Sequence, residues 1–434
     1  MPRFQAPRGT RDLLPAERSL FLRLEAVARD LAERYGYQPI ETPLFELSDL
    51  FERSVGEATD VVEKELFRVH AGRGDKERER WALRPEPTAG VVRAYVQHGM
   101  RTWPQPVKLT LTGPMFRYDR PQAGRYRQFW QFDVEAIGDA GPGVDAEIIE
   151  LALAFFRGVG LDEVEVLLNS IGDATCRPAY VAALGDYFGQ HLEDLPDLER
   201  SRLATNPLRL LDSKDRRMQP LIEVAPRITE HLCDACRAHF DGVRTHLQAL
   251  GITPTPAPTL VRGLDYYTRT AFEFYQPGAR GQQQALGGGG RYDGLVEVLG
   301  GQSTPGIGFG IGLDRVALAL SDGGSDGPRV AKPSVVIVGA DAADTVTRLR
   351  VATELRAQGL ACRPDLSSRR LGKQLESAAK AGAHIAVICG DEMASGHALV
   401  KDLQAGTQRQ VALDDLGRDI ARAEAQHRHG NEEG

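Results

Sequence analysis

Residues 116–135 bring cationic, aromatic and acidic side chains together in one short stretch, FRYDRPQAGRYRQFWQFDVE. The stretch contains four arginines, three phenylalanines and three carboxylates. Guanidinium groups bind phosphate through paired hydrogen bonds, an aromatic ring offers a stacking surface, and carboxylates accept hydrogen bonds from ammonium or N–H groups. These residue types therefore predict a ligand that carries a phosphate, a planar ring and a cationic or N–H-rich part.

The alternation of side chains along this stretch predicts two faces with different roles. In a β-strand, successive side chains point to opposite sides of the sheet. The even positions predict a wall packed on a core: Tyr126, Gln128, Trp130, Phe132 and Val134. The odd positions predict the floor of a polar cleft: Arg125, Arg127, Phe129, Gln131, Asp133 and Glu135. The alternative is an exposed sheet face laced with Arg–Glu pairs, because charges without partners are costly to bury.

A second candidate site is the glycine-rich stretch TPGIGFGIGLDRVALAL. Four glycines alternate with bulky residues, so one face of the strand has no side chains: Gly306, Gly308, Gly310 and Gly312. Glycine weakens a strand unless something approaches its backbone closely. We expect a flat ligand on this face, with Arg315 covering it or holding its phosphates. The alternatives are a bend or tight helix packing.

Other glycine patterns give weaker signals. The spacing in TPGIGFGIG matches neither the dinucleotide-binding fingerprint nor the P-loop. The stretch GGGGRYDGL, residues 287–295, is expected to be a solvent-exposed turn or a lid-like loop.

These stretches are embedded in a chain whose pattern changes along its length. A helix is expected at about 17–35, a hairpin between 107 and 137, and a mainly helical segment at 169–256. The polar, Gly-rich segment 321–332 is typical of a linker. Strands and helices then alternate, starting at VVIVGA, which predicts a small α/β domain, and the tail QHRHGNEEG is expected to be frayed.

Composition limits the class of protein. The chain has 434 residues, a net charge of −7, 42% hydrophobic residues and 26% charged residues. These values predict two or three globular domains and argue against a protein that coats polyanions. The absence of a leader-like start and of a long apolar run predicts a cytoplasmic protein that does not span a membrane.

The cysteines raise the question of a metal site. The segment HLCDACRAH places His231, Cys233, Cys236 and His239 close together in sequence. Its flanks have helical periodicity, and one short helix cannot surround an ion with four side chains, whereas zinc sites usually take ligand pairs from separate segments. We therefore expect no metal site from these Cys and His residues, only buried or half-buried helix positions.

With these elements in order, the sequence resembles the class II aminoacyl-tRNA synthetases, and within them the histidyl-tRNA synthetase family. ERYGYQPIETPLFE with Pro43 is similar to the dimer-interface motif, residues 116–135 to the ATP-holding hairpin, and GIGFGIGLDRVAL to the strand and helix that end in the ATP arginine. APRGTRDLLP, LRPEPTAG, RGLDYYTRTAFE and GGGGRYDGL resemble elements specific to the histidine enzyme.

The resemblance implies an α+β fold with an antiparallel sheet core flanked by helices. The implied division is a catalytic core at 1–168 and 257–325, a helical insertion at 169–256, an α/β anticodon-binding domain at 333–420 and a tail at 421–434. The implied activity is histidine–tRNA ligation. The implied substrates and partners are L-histidine, ATP with Mg²⁺, histidine tRNA and a second copy of the chain.

The resemblance also implies roles for individual residues. Catalysis is assigned to Arg262 and Arg117. ATP is assigned to Arg117, Arg125, Phe129 and Arg315. Histidine is assigned to Glu86, Thr88, Arg117, Gln131, Glu135, Arg262, Tyr266, Tyr267 and Tyr292. The chain departs from the family at Pro87, where Gly is usual, and at Asp119, where Glu is commoner.

Two other functions are compatible with parts of the sequence. The first is a non-catalytic paralogue that serves as a regulatory subunit in histidine biosynthesis, but such proteins tend to lose the RGLDYY stretch and the anticodon-binding domain. The second is a general RNA-binding protein, which the balanced charge of the C-terminal domain argues against. Arg369, Arg370 and Lys373 are candidates for local RNA contacts, with a solvated helix face as the alternative.

Overall fold

A computed structural model of the chain describes residues 4–56, 59, 61–69, 80–261, 264, 266–279, 284–322, 334–339 and 345–430. The chain divides into two compact units, Met1–Pro328 and Arg329–Gly434. Among the described residues, no helix combines the length and apolarity needed to cross a lipid bilayer.

The first unit is built on an eight-stranded sheet. The described strands of this unit, which belong to two sheets, are β1 (Gln38–Pro39), β2 (Phe45–Leu47), β3 (Arg68–Val69), β4 (Trp81–Leu83), β5 (Val107–Phe116), β6 (Gln128–Ile137), β7 (Glu165–Ser170), β8 (Thr255–Pro256), β9 (Thr268–Tyr275), β10 (Gly287–Arg291) and β11 (Gly306–Gly312). The large sheet has the order β1-β5-β6-β11-β10-β9-β7-β8, and β2-β4-β3 form a small separate sheet. Only the outermost pairings of the large sheet, β1 with β5 and β7 with β8, are parallel among its described strands.

Helices surround this sheet and form the insertion. They are α1 (Pro15–Arg34), α2 (Ser48–Val55), α3 (Thr88–Gln97), α4 (Pro142–Val159), α5 (Arg177–Gly189), α6 (Asp197–Thr205), α7 (Gln219–Val224), α8 (Ile228–His231), α9 (Asp234–Ala249), α10 (Leu295–Val298) and α11 (Leu313–Asp322). The expected helix at about 17–35 corresponds to α1, which begins two residues earlier because Pro15 suits a first helical turn. The expected α+β architecture is confirmed.

The predicted hairpin is formed by β5 and β6, and its apolar face lies in the core. Phe132 and Val134 are completely buried, and Trp130 packs against the same cluster. The Phe132 ring lies 5.1 Å from that of Phe155 on α4 and 5.4 Å from that of Phe309 on β11. The alternation therefore predicted the core side of this hairpin correctly.

One prediction from the glycine-rich stretches is wrong. Gly287–Arg291, expected to be a turn or a lid-like loop, is strand β10 and lies between β9 and β11 inside the sheet. A side chain at Gly289 would meet the carbonyl oxygen of Gly308 at 2.0 Å and the ring of Phe272 at 2.8 Å. The glycines are needed because neighbouring strands approach closely, not because the chain turns.

A buried charged network, here called the structural network, supports the sheet. The Arg291 guanidinium lies 2.8 Å from an Asp145 carboxylate oxygen and donates to the carbonyls of Asp139 and Gly141. The His239 ring nitrogen lies 2.6 Å from the second Asp145 oxygen. Every charge in this network therefore meets an opposite charge or a hydrogen-bond partner.

The insertion has a small core of its own. Tyr180, Leu184 and Phe188 on α5 are buried together with Leu210 and Cys236. This cluster extends from α5 through α9, so the segment predicted to be mainly helical folds as a compact helical subassembly.

The second unit alternates strands and helices as expected. It contains β12 (Val335–Gly339), α12 (Thr345–Ala357), β13 (Cys362–Pro364), α13 (Leu371–Lys380), β14 (Ile385–Cys389), β15 (His397–Asp402), β16 (Gln408–Ala412) and α14 (Leu416–Gly430). The sheet order is β13-β12-β14-β15-β16, with parallel pairing of β12 to β13 and β14. Helix α14 continues to Gly430 and so spans much of the expected tail at 421–434.

Candidate functional site: a cleft between guanidinium and carboxylate groups

The polar face of β6 and the glycine face of β11 lie side by side. Their antiparallel register pairs Gln131 with Gly312, Asp133 with Gly310 and Glu135 with Gly308. Beside them is a cleft of about 1030 Å³. Gln131, Gly310 and Gly312 line this cleft, so this part of the β-surface faces a cavity and not bulk solvent.

Guanidinium groups line one end of the cleft. Arg117, Arg125 and Arg315 all border it, together with Phe129. The Arg117 guanidinium carbon lies 5.5 Å from the centre of the Phe129 ring, and its Nε donates to the Pro85 carbonyl. This end combines a ring face with cations, which suits a base and its phosphates.

The cations at this end also repel one another. Burial, with the fields of Arg125 and Arg117, lowers the pKa of Arg315 to about 10. Arg125 forms a salt bridge with Asp119 and lies 3.8 Å from a Glu65 oxygen. An anionic ligand would relieve the repulsion that these carboxylates only partly offset.

Buried carboxylates lie next to this cleft, beyond Gln131 on β6, in a region here called the acidic end. Glu135 is buried and accepts hydrogen bonds of 2.5 Å from the hydroxyls of Thr88 and Tyr292. Glu86 is also buried and accepts from the backbone N–H groups of Thr88 and Ala89 at the start of α3. The start of a helix is a favourable place for a carboxylate.

Asp133 completes a group of three acids, here called the pocket acids: Glu86, Asp133 and Glu135. Burial raises the pKa of Glu135 to about 8 and raises the pKa of Glu86. Burial, and then repulsion from Glu135 and Glu86, raises the pKa of Asp133 well above its usual range. Because burial disfavours the ionised form, these acids would gain from a cationic ligand.

Two buried oxygen atoms near the pocket acids have no hydrogen-bond partner among the described residues. They are Gln131 Oε1 and Asp133 Oδ2. A buried acceptor without a partner costs about 1–3 kcal/mol. Both belong to the polar face of β6, and a ligand with N–H donors would supply what they lack.

Aromatic rings close the acidic end. The Tyr266 ring lies 4.7 Å from that of Tyr267 and 6.0 Å from that of Tyr292. The Tyr266 hydroxyl lies 3.5 Å from Glu86, and Tyr292 is 1% exposed. Burial raises the pKa of Tyr266 and of Tyr292 well above the usual range, so both hydroxyls stay protonated as donors.

The glycine face of β11 has two functions along its length. Side chains at Gly306 and Gly308 would collide with the Tyr292 ring at 2.2 Å and with Glu135 Oε2 at 1.9 Å. Gly310 and Gly312 border the cleft itself. A side chain at Gly310 would also meet Asp133 Oδ1 at 2.5 Å. The expected flat ligand can therefore account for Gly312, whereas the other three glycines make room for pocket side chains.

The structure brings most of the predicted site residues together. Phe129, Gln131, Tyr267 and the three arginines line the cleft, and Glu86, Thr88, Glu135, Tyr266 and Tyr292 are linked by the contacts described above. Arg262 lies outside the described residues. Arg127, assigned to the polar face, instead stacks on the Tyr118 ring at 3.7 Å and donates to the Arg8 carbonyl.

Two acids of the site received no role from the sequence. Asp133 was placed on the polar face of β6 without a function, although its alternation with Gln131 and Glu135 was a usable signal. Glu273 on β9 is 4% exposed, lines the cleft and pairs with Gly288 in the sheet. The sequence of β9 alone could not predict that Glu273 borders the cleft, because this depends on which strand lies beside β9 in the sheet.

Pro87 does not disturb the Glu86 carboxylate. Pro87 directly precedes α3, and the amides that bind Glu86 belong to Thr88 and Ala89. The N–H group that proline lacks is therefore not among the donors to Glu86.

Comparison with known proteins gives consistent matches over nearly the whole chain. A family model described as histidyl-tRNA synthetase matches residues 9–316, and one described as anticodon binding domain matches residues 334–422. The histidine–tRNA ligase of Desulforudis audaxviator (strain MP104C) is 47% identical over 412 residues, which cover 94% of this chain and 96% of that protein.

Solved structures agree. The crystal structure of apo S. aureus histidyl-tRNA synthetase is 35% identical with a TM-score of 0.78, covering 96% of this chain and 99% of that one. A structure described as an ATP phosphoribosyltransferase regulatory subunit/histidyl-tRNA synthetase from Bacillus halodurans C is 21% identical with a TM-score of 0.63, covering 90% of this chain and 99% of that one. The second likeness shows the fold alone.

Proposed function

The chain belongs to the histidyl-tRNA synthetase family and is an aminoacyl-tRNA ligase specific for histidine, and from this premise we propose how its cleft divides the work. ATP occupies the cleft beside the guanidinium groups, and histidine occupies the adjoining acidic end beside the pocket acids. The observation that carries this proposal is the opposite charge of the arginines that line the cleft and of the buried acids next to it, beside the unpartnered oxygen of Gln131.

The ATP end takes its chemistry from three arginines and one ring. We propose that Phe129 stacks on the adenine and that Arg315 covers the opposite face. Arg117 and Arg125 bind the phosphates, for which two-pronged guanidinium contacts are suited. The Arg117 side chain is held by the Pro85 carbonyl, which orients it before ATP arrives.

The histidine end selects its substrate by hydrogen bonding. We propose that Glu86, Thr88 and Gln131 bind the ammonium group, while Glu135 and Tyr267 address the imidazole and Tyr266 and Tyr292 complete the pocket. A site built to pair with N–H groups discriminates strongly against analogues that lack them, because its buried polar groups are then left unmatched.

The first step joins two anions. A carboxylate oxygen of histidine attacks the α-phosphorus of ATP, and the bond to pyrophosphate breaks. Preorganised guanidinium groups stabilise the charge that develops on the phosphoryl oxygens. We propose that Arg117 and Arg262 supply this stabilisation. In the second step a hydroxyl of the terminal tRNA ribose attacks the acyl carbon, and AMP leaves.

We also propose that Mg²⁺ accompanies ATP. Hard divalent cations prefer oxygen ligands, and Glu273 offers a buried carboxylate in the cleft beside Gly287 and Gly288. The negative charge of Glu273 partly opposes the lowering of the Arg315 pKa, so Glu273 and Arg315 lie in the same part of the cleft. When bound, the ion would neutralise phosphate charge, and Glu273 would help to hold it.

Three wider assignments are proposals as well. The domains have the boundaries expected from the sequence. Residues 333–420 contact the anticodon of the tRNA. The protein is located in the cytoplasm. A homodimer is supported by exposed apolar side chains at Leu44, Phe45 and Leu47, directly after Pro43, which are 42%, 49% and 49% exposed. Sedimentation of the purified chain would test the dimer.

Histidine-dependent exchange between ATP and pyrophosphate tests the division of the cleft. Arg262→Ala is expected to abolish most of this exchange without changing sedimentation, because a transition-state donor is lost. Arg29→Ala, an exposed arginine on α1, is the matched control and should exchange normally. Near-normal exchange by Arg262→Ala would remove Arg262 from catalysis, and failure of the wild-type chain to charge histidine tRNA would contradict the function itself.

A further inference from the structure

A group of thiols and one carboxylate lies outside the cleft, where the insertion meets the sheet. It consists of Asp173, Cys176, Cys233 and Cys236, here called the cysteine–aspartate cluster. One ligand atom from each residue lies within 4.8 Å of the other three. The Cys176 sulfur is 3.7 Å from Asp173 Oδ1, and the Cys233 sulfur is 4.0 Å from the same oxygen.

The cluster draws two ligands from each of two chain segments. Asp173 and Cys176 lie between β7 and α5, and Cys233 and Cys236 lie at the start of α9. Each pair has two intervening residues. Structural zinc sites take short-spaced ligand pairs from separate segments in this way. The sequence offered only one of these pairs, which is why the expectation from HLCDACRAH was no metal site.

The distances suit a tetrahedral ion. Zinc–sulfur bonds of about 2.3 Å place the sulfurs of a tetrahedral site roughly 3.8 Å apart. The two sulfur–oxygen separations given above, 3.7 and 4.0 Å, are close to this value and no ligand-atom separation exceeds 4.8 Å, so small side-chain movements suffice to close the cluster around an ion. Cys176 and Cys236 are buried, whereas Asp173 and Cys233 are partly exposed, which leaves a route from solvent.

The loop that carries Asp173 is shaped for close approach. Gly172 has a φ of +64°, and a side chain there would meet the Cys176 sulfur at 2.7 Å. The histidines of the same segment are engaged elsewhere. His239 is paired with Asp145, and the His231 ring lies 5.5 Å from the Tyr180 ring. The two histidines therefore do not compete with the cluster for an ion.

We propose that the cysteine–aspartate cluster binds one Zn²⁺ through three thiolates and the Asp173 carboxylate. Arg269 lies 3.6 Å from the second Asp173 oxygen and would orient this ligand, as outer-shell groups commonly do. The ion cross-links the β7–α5 loop to the start of α9, and its role is structural because all four positions are taken by protein.

The site is connected to the histidine end of the cleft through one side chain. Arg177 follows Cys176 directly, and its guanidinium donates to the Tyr267 carbonyl at 2.5 Å and to the carbonyls of Ile171 and Gly172. Fixing Cys176 fixes the start of α5, and thereby this contact. Loss of the ion is therefore expected to raise the KM for histidine more than it lowers kcat.

Elemental analysis of the full-length chain, purified without metal-affinity steps, tests the proposal. We expect about one zinc per chain in the wild type and in Cys362→Ser, a control cysteine in the second unit. We expect less than about a tenth of that in Cys233→Ser and Cys236→Ser, because thiolates are the preferred ligands. Equal zinc content in all four proteins would overturn the assignment.

A cobalt experiment covers the case in which the serine variants fail to fold. Chelator-treated wild type and Asp173→Cys are titrated with Co²⁺. Both should give the absorption bands of tetrahedral cobalt, with sulfur-to-cobalt charge transfer more intense in Asp173→Cys because a fourth thiolate is added. Absence of tetrahedral bands in both, or a wild-type mass that reveals a Cys233–Cys236 disulfide in place of bound metal, would refute the site.

Discussion

Two groups of buried charged side chains lie beside the same sheet, and they differ in whether the protein itself supplies the opposite charge. In the structural network, Asp145 meets Arg291 and His239, and the remaining guanidinium N–H groups find carbonyls. The pocket acids form no salt bridge with any described lysine or arginine, and Arg84 and Arg117 act on Asp133 only through longer-range fields. Among the described residues, the carboxylate of the first group is paired with cationic side chains without a ligand, and those of the second group are not.

The difference shows how burial can be used for stability or for binding. A buried charge that is paired supports the fold, whereas one that lacks a partner destabilises the empty protein and favours a ligand that supplies the missing charge. Glu135 and Asp145 are almost equally buried, 2% and 0% exposed. Asp145 supports the fold because it is paired, whereas Glu135 favours a ligand because no described cationic side chain is paired with it.

The largest effect is expected from breaking the structural network. Arg291→Met leaves Asp145 buried beside only His239 and the Thr270 hydroxyl, so the free energy of unfolding should fall by about 3–5 kcal/mol. Urea unfolding at fixed chain concentration measures this change. Arg157→Met is the matched control, because Arg157 is half exposed and its pair with Glu150 should contribute at most about 1 kcal/mol. Equal effects of the two substitutions would mean that the network is not a stabilising feature.

The next largest effect is expected from the pocket acids, where a substitution should weaken the use of histidine and not the stability of the fold. Glu135→Gln keeps the size and an acceptor for Tyr292 but removes the charge that histidine would meet. The kcat/KM for histidine should fall by at least about 30-fold, since losing one partner of a buried charge pair costs at least about 2 kcal/mol. The kcat/KM for histidine in pyrophosphate exchange measures it. A variant that unfolds more easily while exchanging normally would reverse the roles assigned to the two groups.

The sequence allowed the acids of the pocket on β6 to be predicted, but not the structural network. The acids on β6 could be found because alternation with period two fixes which side chains share a face, and Gln131, Asp133 and Glu135 do share one. The structural network could not be found, because Asp145 and Arg291 are 146 residues apart and meet only once the order of the strands is known.

Glycine caused the clearest failure. The run GGGGR carries turn signals and no strand preference, yet it forms β10 because its neighbours approach too closely for any side chain at Gly289. The cysteine–aspartate cluster was missed for the related reason that Cys176 and Cys233 are brought together only by the packing of the insertion. Local patterns thus predicted faces and helices, while contacts between distant segments required the fold.

The smallest expected effect is a pH dependence of the free energy of unfolding, which Glu135 should cause and the structural network should not. The folded-state pKa of Glu135 is about 8, above its ordinary value near 4.5. A raised pKa contributes stability that is fully present below the unfolded value and is lost as the pH rises through the folded value. Between about pH 5 and 8 the unfolded chain ionises Glu135 while the folded protein keeps it protonated, so the free energy of unfolding falls with rising pH. From pH 6.5 to 7.5, the free energy of unfolding of wild type should therefore fall by about 1 kcal/mol relative to Glu135→Gln.

Urea unfolding of both proteins at the two pH values, without histidine, measures that difference. Saturating histidine should reduce it in the wild type, because a bound cationic group favours the ionised carboxylate and returns its pKa towards the ordinary range. The same comparison between wild type and Arg157→Met should show no such change. If the wild type and Glu135→Gln kept a constant difference across this pH window, Glu135 would already be ionised in the empty pocket, and the contrast with Asp145 would disappear.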